Sequence, residues 1–433
     1  MTIEEALDWI HGRLKFGSRP GLIRIESLLE RVGNPENKIQ TIHIAGTNGK
    51  GSTVTFLRAI LTELGLKVGT FTSPYIEMFN ERISIDGKGI SDKDLVAYTE
   101  KYQKIVAEMD ADDAVYGITE FELITAMAFD YFEQEKVDVA IIEVGLGGLL
   151  DSTNVISPVL TGITTIGLDH QDILGDTIEE IAAQKAGIIK VGVPVVTGNI
   201  VPEALAVIED TAKEKNSSLF RFQKEYEVKY VHPDENWGEI FSFKNKDFSL
   251  ENIKISMIGR HQTENAGMAM ELASLFAKQE KLVLTKEIIE QGMKKAFWPA
   301  RMERISKKPL IILDGAHNGH AMSRLVENIK SEFGNRQLQV LFSALKTKDI
   351  DNMVEMLTEV KNVHLNITSF DYPKALDLSE ISYLEHDGVE FVSIWQFGIG
   401  DILEKMKGDD VLLITGSLYF VSQVREFFIE MNK

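Results

Sequence analysis

The segment Gly46 to Ser52 has the composition of a phosphate-binding loop. It reads GTNGKGS and lies between a short apolar run and a helical pattern. Glycines let backbone N–H groups turn inward around a phosphate, and the N-terminus of a helix favours negative charge. Lys50 and Ser52 would supply a point charge and a magnesium ligand, although Ile44 and Gly51 depart from the common spacing. A plain Gly-Asn turn would explain the glycines, but not the lysine and the hydroxyl in this order.

Acidic and imidazole side chains end two other strand-like runs. Glu143 ends VDVAIIEVG, and Asp169 and His170 end VLTGITTIGLDH. Nucleotide sites in open parallel sheets lie at the carboxyl ends of the strands, so these groups indicate a magnesium site completed by water and phosphate. Taken singly, each would more often be a structural group. Ser73, just beyond a third run, fits a further ligand or a turn serine before proline equally well.

Lys185 lies in the last turn of a predicted helix. From the residues alone it is best explained as a surface lysine that compensates the helix dipole. The segment GLGGLL after Glu143 is a poor dinucleotide loop because Leu150 occupies the place of the third glycine.

A second group of polar residues occurs in the C-terminal third of the chain. The segment ILDGAHN places Asp314 and His317 just past another strand-like run, where a ligand site and a turn rich in Gly and Asn are both expected. Upstream, Arg301 offers a bidentate cation for phosphate, and Asn265 offers an amide suited to an adenine edge.

The elements that must position these residues follow an α/β rhythm. From about residue 39, β-branched apolar runs alternate with helical patterns, which predicts a parallel sheet with crossover helices. Residues from about 219 to 258 alternate with period two, which predicts a small antiparallel sheet. The rhythm restarts at Leu310 as a second open sheet. With Pro299 at the junction, we expect a first domain over 1–296, which carries the phosphate-binding loop, and a second α/β domain over 297–433.

Composition excludes several classes of protein. The 433 residues include no cysteine, which excludes disulfides, a thiol nucleophile and thiolate zinc sites. Acidic residues outnumber basic ones by 66 to 46, giving a net charge of −20 that disfavours binding to nucleic acid. The N-terminus lacks the pattern of a signal peptide, and no apolar run could span a membrane. We therefore expect a cytoplasmic protein that is not attached to a membrane.

Taken together, the motifs resemble the Mur ligase superfamily and, within it, the folylpolyglutamate synthase family, whose members are often dihydrofolate synthases as well. The resemblance covers nearly the whole chain and is carried by GTNGKGS, SPY, FNERI, TEFELITAMAF, EVGLGG, LDSTN, GLDHQDILGDTIEEIAAQKAGIIK, GRHQTENA, WPARME, LDGAHN and TGSLYF. It implies an α/β fold: a P-loop ATPase domain with a small antiparallel β insertion, a Rossmann-like C-terminal domain, and ATP bound between the two. It also implies a monomer.

The implied reaction is ATP-dependent addition of L-glutamate to reduced folates through an acyl phosphate, with dihydropteroate as a further candidate substrate. The resemblance assigns the ATP phosphates to Asn48, Gly49, Lys50, Gly51 and Ser52. It assigns two Mg²⁺ ions to Ser73, Glu143, His170 and Lys185, and identifies Lys185 with a lysine that the family carboxylates to N6-carboxylysine. It matches Asn265, Arg301 and Asp314 to ATP contacts and places His317, a candidate catalytic residue, near them.

The sequence departs from the family pattern at four positions beside these motifs. They are Tyr75 for a histidine, Leu149 for an arginine, Gln184 for a glutamate and Ala300 for a glycine. Two other functions fit parts of the pattern. A cell-wall Mur ligase would carry a nucleotide-sugar domain before the phosphate loop, and only 45 residues precede Gly46. An ATPase switch without ligase activity would not need the second open sheet.

Overall fold

Two open sheets, each covered by helices, organise the chain in its computed structural model, which describes residues 1–17, 19–75, 78–385 and 388–431. The first unit comprises Met1–His232, Ile240–Ile255 and Thr263–Ala296. The second comprises Pro233–Glu239, Ser256–Gln262 and Phe297–Lys433. Over the described ranges, no helix is both long and apolar enough to cross a membrane.

The main sheet of the first unit confirms the predicted parallel arrangement. Its strands are β1 Thr41–Ala45, β2 Val68–Phe71, β3 Ile83–Ile85, β4 Lys88–Gly89, β5 Val139–Glu143, β6 Leu160–Ile163, β7 Val195–Thr197 and β8 Leu219–Arg221. They lie in the order β4-β3-β2-β5-β1-β6-β7-β8, and only β3 and β4 run antiparallel to their neighbours. Strands β1 and β5 are buried along their whole length, as expected for a sheet covered on both faces.

Ten helices are described for this part of the chain. They are α1 Ile3–His11, α2 Ile23–Val32, α3 Lys50–Glu63, α4 Asp92–Met109, α5 Glu120–Gln134, α6 Gln171–Leu174, α7 Ile178–Ala186, α8 Pro202–Glu214, α9 Arg260–Gln279 and α10 Lys286–Lys295. A capping box begins α7: the Thr177 hydroxyl accepts from the Glu180 N–H, and the Glu180 carboxylate accepts from the Thr177 N–H.

The predicted antiparallel sheet is smaller than the alternation suggested. Its strands are β9 Glu227–Pro233, β10 Glu239–Lys244 and β11 Ser249–Ile255, in the order β11-β10-β9. Residues 219–221 instead pair in parallel with β7 and form the edge of the main sheet. Three half-buried residues of an edge strand show the same alternation in either kind of sheet, so sequence pattern could not separate them.

The second unit contains a six-stranded sheet in the order β12-β13-β17-β14-β15-β16, parallel except for β12. The strands are β12 Glu303–Lys307, β13 Leu310–Leu313, β14 Leu338–Phe342, β15 Val363–Thr368, β16 Val389–Val392 and β17 Val411–Thr415. Its helices are α11 Gly319–Phe333, α12 Ile350–Thr358, α13 Trp395–Lys405 and α14 Leu418–Met431. Strand β13 begins at Leu310, where the α/β rhythm of the sequence restarts.

The register aligns the carboxyl ends of the central strands. In the first unit Ile44 pairs with Glu143, and Ala45 pairs with Ile163, so β1, β5 and β6 end at one edge. In the second unit Leu313 of β13 lies opposite Ile414 of β17. Residues that directly follow these strands are therefore neighbours, although the chain separates them widely.

The crossing of α10 over α3 requires a glycine. A β-carbon on Gly292 would lie 2.7 Å from the Ile60 Cα and 2.9 Å from its N. Because backbone cannot move aside cheaply, we expect Gly292→Ala to lower the free energy of unfolding by about 1–3 kcal/mol in urea denaturation. Gly400 in α13 meets nothing within 4 Å, so Gly400→Ala is the matched control and should raise that free energy by about 0.5–1 kcal/mol. Equal losses in both variants would contradict the packing argument.

Candidate active site

The loop from Gly46 to Ser52 joins β1 to α3 and is held by hydroxyl residues that follow β6. The Thr47 N–H donates to the Thr165 carbonyl (2.7 Å), and the Asn48 N–H donates to Thr165 Oγ1 (3.2 Å). The Thr164 hydroxyl donates to the Asn48 carbonyl at 2.6 Å. Sequence reasoning missed this pair of threonines, although their place directly after a strand at the same sheet edge was a usable signal.

Two glycines allow neighbouring side chains to approach the loop closely. Gly46 has φ +150°, and a β-carbon there would lie 1.9 Å from Thr164 Oγ1. Gly49 has φ +87°, and a β-carbon there would lie 2.5 Å from Asn265 Oδ1. Asn265, predicted as a nucleotide contact, is thus placed against the loop and is buried.

Two lysine side chains donate to the same carbonyl oxygen of this loop. Lys50 Nζ lies 2.9 Å from the Gly46 carbonyl oxygen and 3.3 Å from that of Thr47. Lys185 Nζ, from α7, lies 3.1 Å from the Gly46 oxygen. A neutral carbonyl carries only a partial negative charge, so the pair leaves a local excess of positive charge beside the phosphate loop.

Lys185 is not the surface lysine that its helix position suggested. Only 4% of the residue is exposed, and its side chain is directed into the protein toward the Gly46 carbonyl. Burial lowers the pKa of Lys185 to about 7, and the charge of Lys50 acts in the same direction, while Asp169 and Asp151 oppose it. Near neutral pH the neutral amine is therefore well populated.

The predicted magnesium ligands lie at the same sheet edge. Glu143, the last residue of β5, is 4% exposed, and the Ser73 N–H donates to its Oε2 at 3.4 Å. His170 precedes α6 in a left-handed conformation, with its side chain 47% exposed and Nε2 3.9 Å from Asp169 Oδ1. The structure thus brings Ser73 and Glu143 together and leaves the His170 ring open to solvent.

Within the described residues, no three His, Cys, Asp or Glu side chains gather into a group that could hold a metal ion alone. Magnesium is commonly bound through one or two carboxylates, with water and substrate phosphate as the other ligands. A buried carboxylate beside a phosphate loop fits that ion.

The loop after Glu143 is bonded to the end of α7 rather than shaped for a dinucleotide. The Leu149 N–H donates to the Gln184 carbonyl (2.7 Å). The Asn154 side-chain amide donates to the carbonyls of Leu149 (3.0 Å) and Gly187 (3.1 Å). Leu149 and Gln184, two of the departures from the family pattern, thus meet through backbone atoms, and the Leu149 side chain is 46% exposed.

In the second unit, Arg301, Asp314 and His317 meet around the turn that follows β13. Arg301 Nη1 donates to the Gly315 carbonyl at 3.4 Å, and His317 Nδ1 donates to the same oxygen at 2.8 Å. The buried Asp314 carboxylate accepts from the N–H groups of Met302 and Ala316, both at 2.9 Å. Burial raises the pKa of Asp314, and the charge of Arg301 opposes that rise.

Known proteins resemble the chain along its length. It matches the Mur ligase middle domain over residues 44–273 and the Mur ligase, glutamate ligase domain over residues 300–418. It is 45% identical over 432 residues to the dihydrofolate synthase/folylpolyglutamate synthase of Bacillus subtilis (strain 168), with 98% of each chain covered.

Solved structures are similar over the same extent. The folylpolyglutamate synthase of Mycobacterium tuberculosis complexed with ADP has a TM-score of 0.90 and 31% identity, covering 98% of this chain and 99% of that one. A folylpolyglutamate synthase complex with AMPPCP and folate has a TM-score of 0.86 and 38% identity, covering 99% of this chain and 100% of that one.

The lowered pKa of Lys185 has a measurable effect on stability. Between pH of about 7 and 10.5 the unfolded chain keeps a proton on this lysine that the folded chain loses, so stability rises with pH. We compare the wild type with Lys185→Met in CO₂-free buffer. The difference in their free energies of unfolding should increase in favour of the wild type by about 1.4 kcal/mol per pH unit from pH 7 upward. Below pH 7 the difference should be constant. Urea denaturation from pH 6 to 9 measures it, and parallel profiles across that range would contradict the assignment.

Proposed function

The chain belongs to the folylpolyglutamate synthase family of Mur ligases, and we propose that its phosphate loop, Glu143 and Lys185 form the centre of an ADP-forming ligase. The enzyme joins the amino group of L-glutamate to the glutamate side chain of a reduced folate. One observation supports this most directly: Lys50 and Lys185 converge on the Gly46 carbonyl of a loop shaped for phosphate. An overall charge of −20 makes this local cationic group distinctive.

The reaction has two chemical steps. A carboxylate oxygen of the folate attacks the γ-phosphorus of ATP, which gives an acyl phosphate and ADP. The amino group of glutamate then attacks the acyl carbon, the C–O bond to phosphate breaks, and an amide, inorganic phosphate and a proton are released. All reactants are anionic, so the protein must supply positive charge and orientation more than a nucleophile.

Lys50 and the loop backbone are proposed to hold the ATP phosphates. The helix α3 begins at Lys50, so its first N–H groups point toward the loop. Lys50 donates to the loop carbonyls, and a phosphate oxygen is the stronger acceptor for an ammonium group. Lys50 therefore exchanges carbonyl partners for phosphate when ATP binds, assisted by Asn48, Gly49, Gly51 and Ser52.

We assign Ser73, Glu143, His170 and Lys185 to the binding of two Mg²⁺ ions. When bound, magnesium neutralises and orients the phosphate oxygens. Glu143 offers the buried, hard anionic oxygen that this role needs, and the Ser73 N–H orients it. His170 is exposed enough to turn toward a ligand.

Lys185 can join this set only as an anion. Its neutral amine adds CO₂ and releases a proton, which gives a carbamate with two oxygen donors. The carbamate would replace one of two crowded cations with a negative charge beside Lys50. Burial that favours the neutral amine is what makes the addition possible near neutral pH.

Four residues outside the loop are assigned to ATP or to the acyl phosphate. Asn265 touches the loop at Gly49 and is suited to the nucleotide, and Arg301 is suited to its phosphates. The Asp314 carboxylate accepts from Met302 and Ala316, and the Gly315 carbonyl accepts from Arg301 and His317, so the turn that carries Arg301 is bonded to the turn that carries His317. We propose His317 as a catalytic residue, since donation from Nδ1 to a carbonyl orients its ring.

Dihydrofolate synthase activity is a second candidate function. The Bacillus subtilis relative, 45% identical along the full chain, carries both names. That activity adds the first glutamate to dihydropteroate through the same acyl-phosphate chemistry. Similarity along the whole chain to folate enzymes also favours this substrate class over the cell-wall Mur ligase and the ATPase switch.

The function is tested by ATP-dependent incorporation of labelled glutamate, with tetrahydrofolate and dihydropteroate in parallel. We expect incorporation with tetrahydrofolate and one ADP formed per glutamate. Incorporation with dihydropteroate would establish the second activity. Incorporation with neither would disprove the folate assignment.

The same assay tests the site. Lys50→Ala and Glu143→Ala should each lower the rate by about 100-fold or more, because each removes a charge needed to neutralise or orient phosphate. Lys67→Ala removes a surface lysine paired with Glu135 and is the matched control. Normal rates in either site variant, with folding verified by circular dichroism, would refute the roles of Lys50 and Glu143.

The carbamate predicts its own signature. After equilibration with ¹³C-bicarbonate, the wild type should show one carbamate resonance in ¹³C NMR that Lys185→Ala lacks. Depletion of CO₂ at pH 6 should lower the ligation rate, and added bicarbonate should restore it, because the carbamate forms only from the neutral amine. An identical spectrum for both proteins would rule out carboxylation at Lys185.

A further inference from the structure

Arg301 lies between two residues in the left-handed backbone conformation. Ala300 has φ 54° and Met302 has φ 47°. Neither is glycine, asparagine or aspartate, the residues that adopt this conformation with little strain. Two such residues within three positions will persist only if surrounding contacts hold them.

Two buried carboxylates provide those contacts. The Ala300 N–H donates to Glu303 Oε2 at 2.8 Å, and the Met302 N–H donates to Asp314 Oδ2 at 2.9 Å. The Ala300 carbonyl accepts from the Gly315 N–H at 2.8 Å. The backbone on each side of Arg301 is therefore bonded to a separate carboxylate.

Glu303 is itself fixed by a distant part of the chain. Arg425, on α14, places its Nε 2.9 Å from Glu303 Oε1 and 2.8 Å from Oε2. The two side chains are only 11% and 6% exposed. A buried ion pair with this geometry holds both partners in place, and loss of the Glu303 charge would leave the guanidinium without its counter-ion.

We infer that Glu303, held by Arg425, is a positioning residue that fixes the turn from Ala300 to Met302 and thereby orients the Arg301 guanidinium for nucleotide phosphate. This rests on the nucleotide role assigned to Arg301 in the proposed function. Among the described residues, the Gly315 carbonyl accepts from Arg301 Nη1 at 3.4 Å, a long contact, so the turn itself sets most of the direction of the guanidinium. An arginine oriented in advance loses less conformational freedom on binding.

The family pattern that this sequence resembles has glycine at position 300, and this chain has alanine there. Alanine at φ 54° is strained where glycine would not be, so the turn depends more on the Glu303 carboxylate. Replacement of Ala300 by glycine should reduce that dependence.

A double-mutant cycle on the full chain tests this, with ADP affinity measured by calorimetry in the presence of Mg²⁺. Arg301→Ala should weaken ADP binding by about 10- to 100-fold. Glu303→Gln keeps an acceptor for the Ala300 N–H but loses the charge that Arg425 holds, and should weaken binding by about three- to tenfold. In the Arg301→Ala background, Glu303→Gln should change the affinity less than about twofold, because its effect passes through Arg301.

Further variants separate positioning from folding. Ala300→Gly should recover part of the affinity lost in Glu303→Gln, since glycine adopts the turn without strain. Glu380→Gln, which breaks an exposed pair with Lys346 in the same unit, should leave ADP affinity unchanged. The same fold-loss from Glu303→Gln in both backgrounds, or no recovery with Ala300→Gly, would overturn the inference. If Arg301→Ala alone leaves the ADP affinity unchanged, both the inference and the nucleotide role of Arg301 are wrong. The single variant Arg301→Ala therefore distinguishes this outcome from a failure of the positioning role alone.

Discussion

The carbonyl oxygen of Gly46 accepts hydrogen bonds from two lysines, and the chemistry of the first unit depends on this contact. Lys50 and Lys185 bring two basic side chains to one uncharged acceptor in a partly buried place. Water cannot fully compensate such a concentration of charge, so the site favours an incoming anion, and Lys185 favours its neutral form. The phosphate binding and the carboxylation of Lys185 that we propose therefore have one physical origin.

The parallel sheet determines which residues can meet there. Strands β1, β5 and β6 end in register, so the phosphate loop, Glu143 and the threonines after β6 become neighbours. Hydrogen bonds from Thr164 and Thr165 then fix the loop backbone, and Asn154 joins the loop after Glu143 to the end of α7. The loop backbone and the end of α7 are thus held by side chains to which we assign no role in the reaction.

In the second unit, carboxylates rather than hydroxyl groups fix the backbone beside the candidate phosphate-binding cation. Its turn around Arg301 is strained on both sides and is held by the carboxylates of Glu303 and Asp314. In both units, a cation that we propose to bind phosphate lies in or directly after a backbone turn that buried acceptors or donors keep in shape. This arrangement suits a ligase for anionic substrates, because rigid placement of a few cations offsets the repulsion of an acidic protein.

The fold class, most strand positions, the glycine-rich loop and the strand ends at which polar residues lie could be predicted from the sequence alone. These depend on hydrophobic periodicity and local turn chemistry, which are written into neighbouring residues. Tertiary structure decided the rest. Lys185 is buried, and residues 219–221 pair with the main sheet. Asn265 lies against Gly49, and Glu303 forms an ion pair with Arg425. Burial, pKa and ion pairing depend on which distant segments pack together, and local pattern does not carry that information.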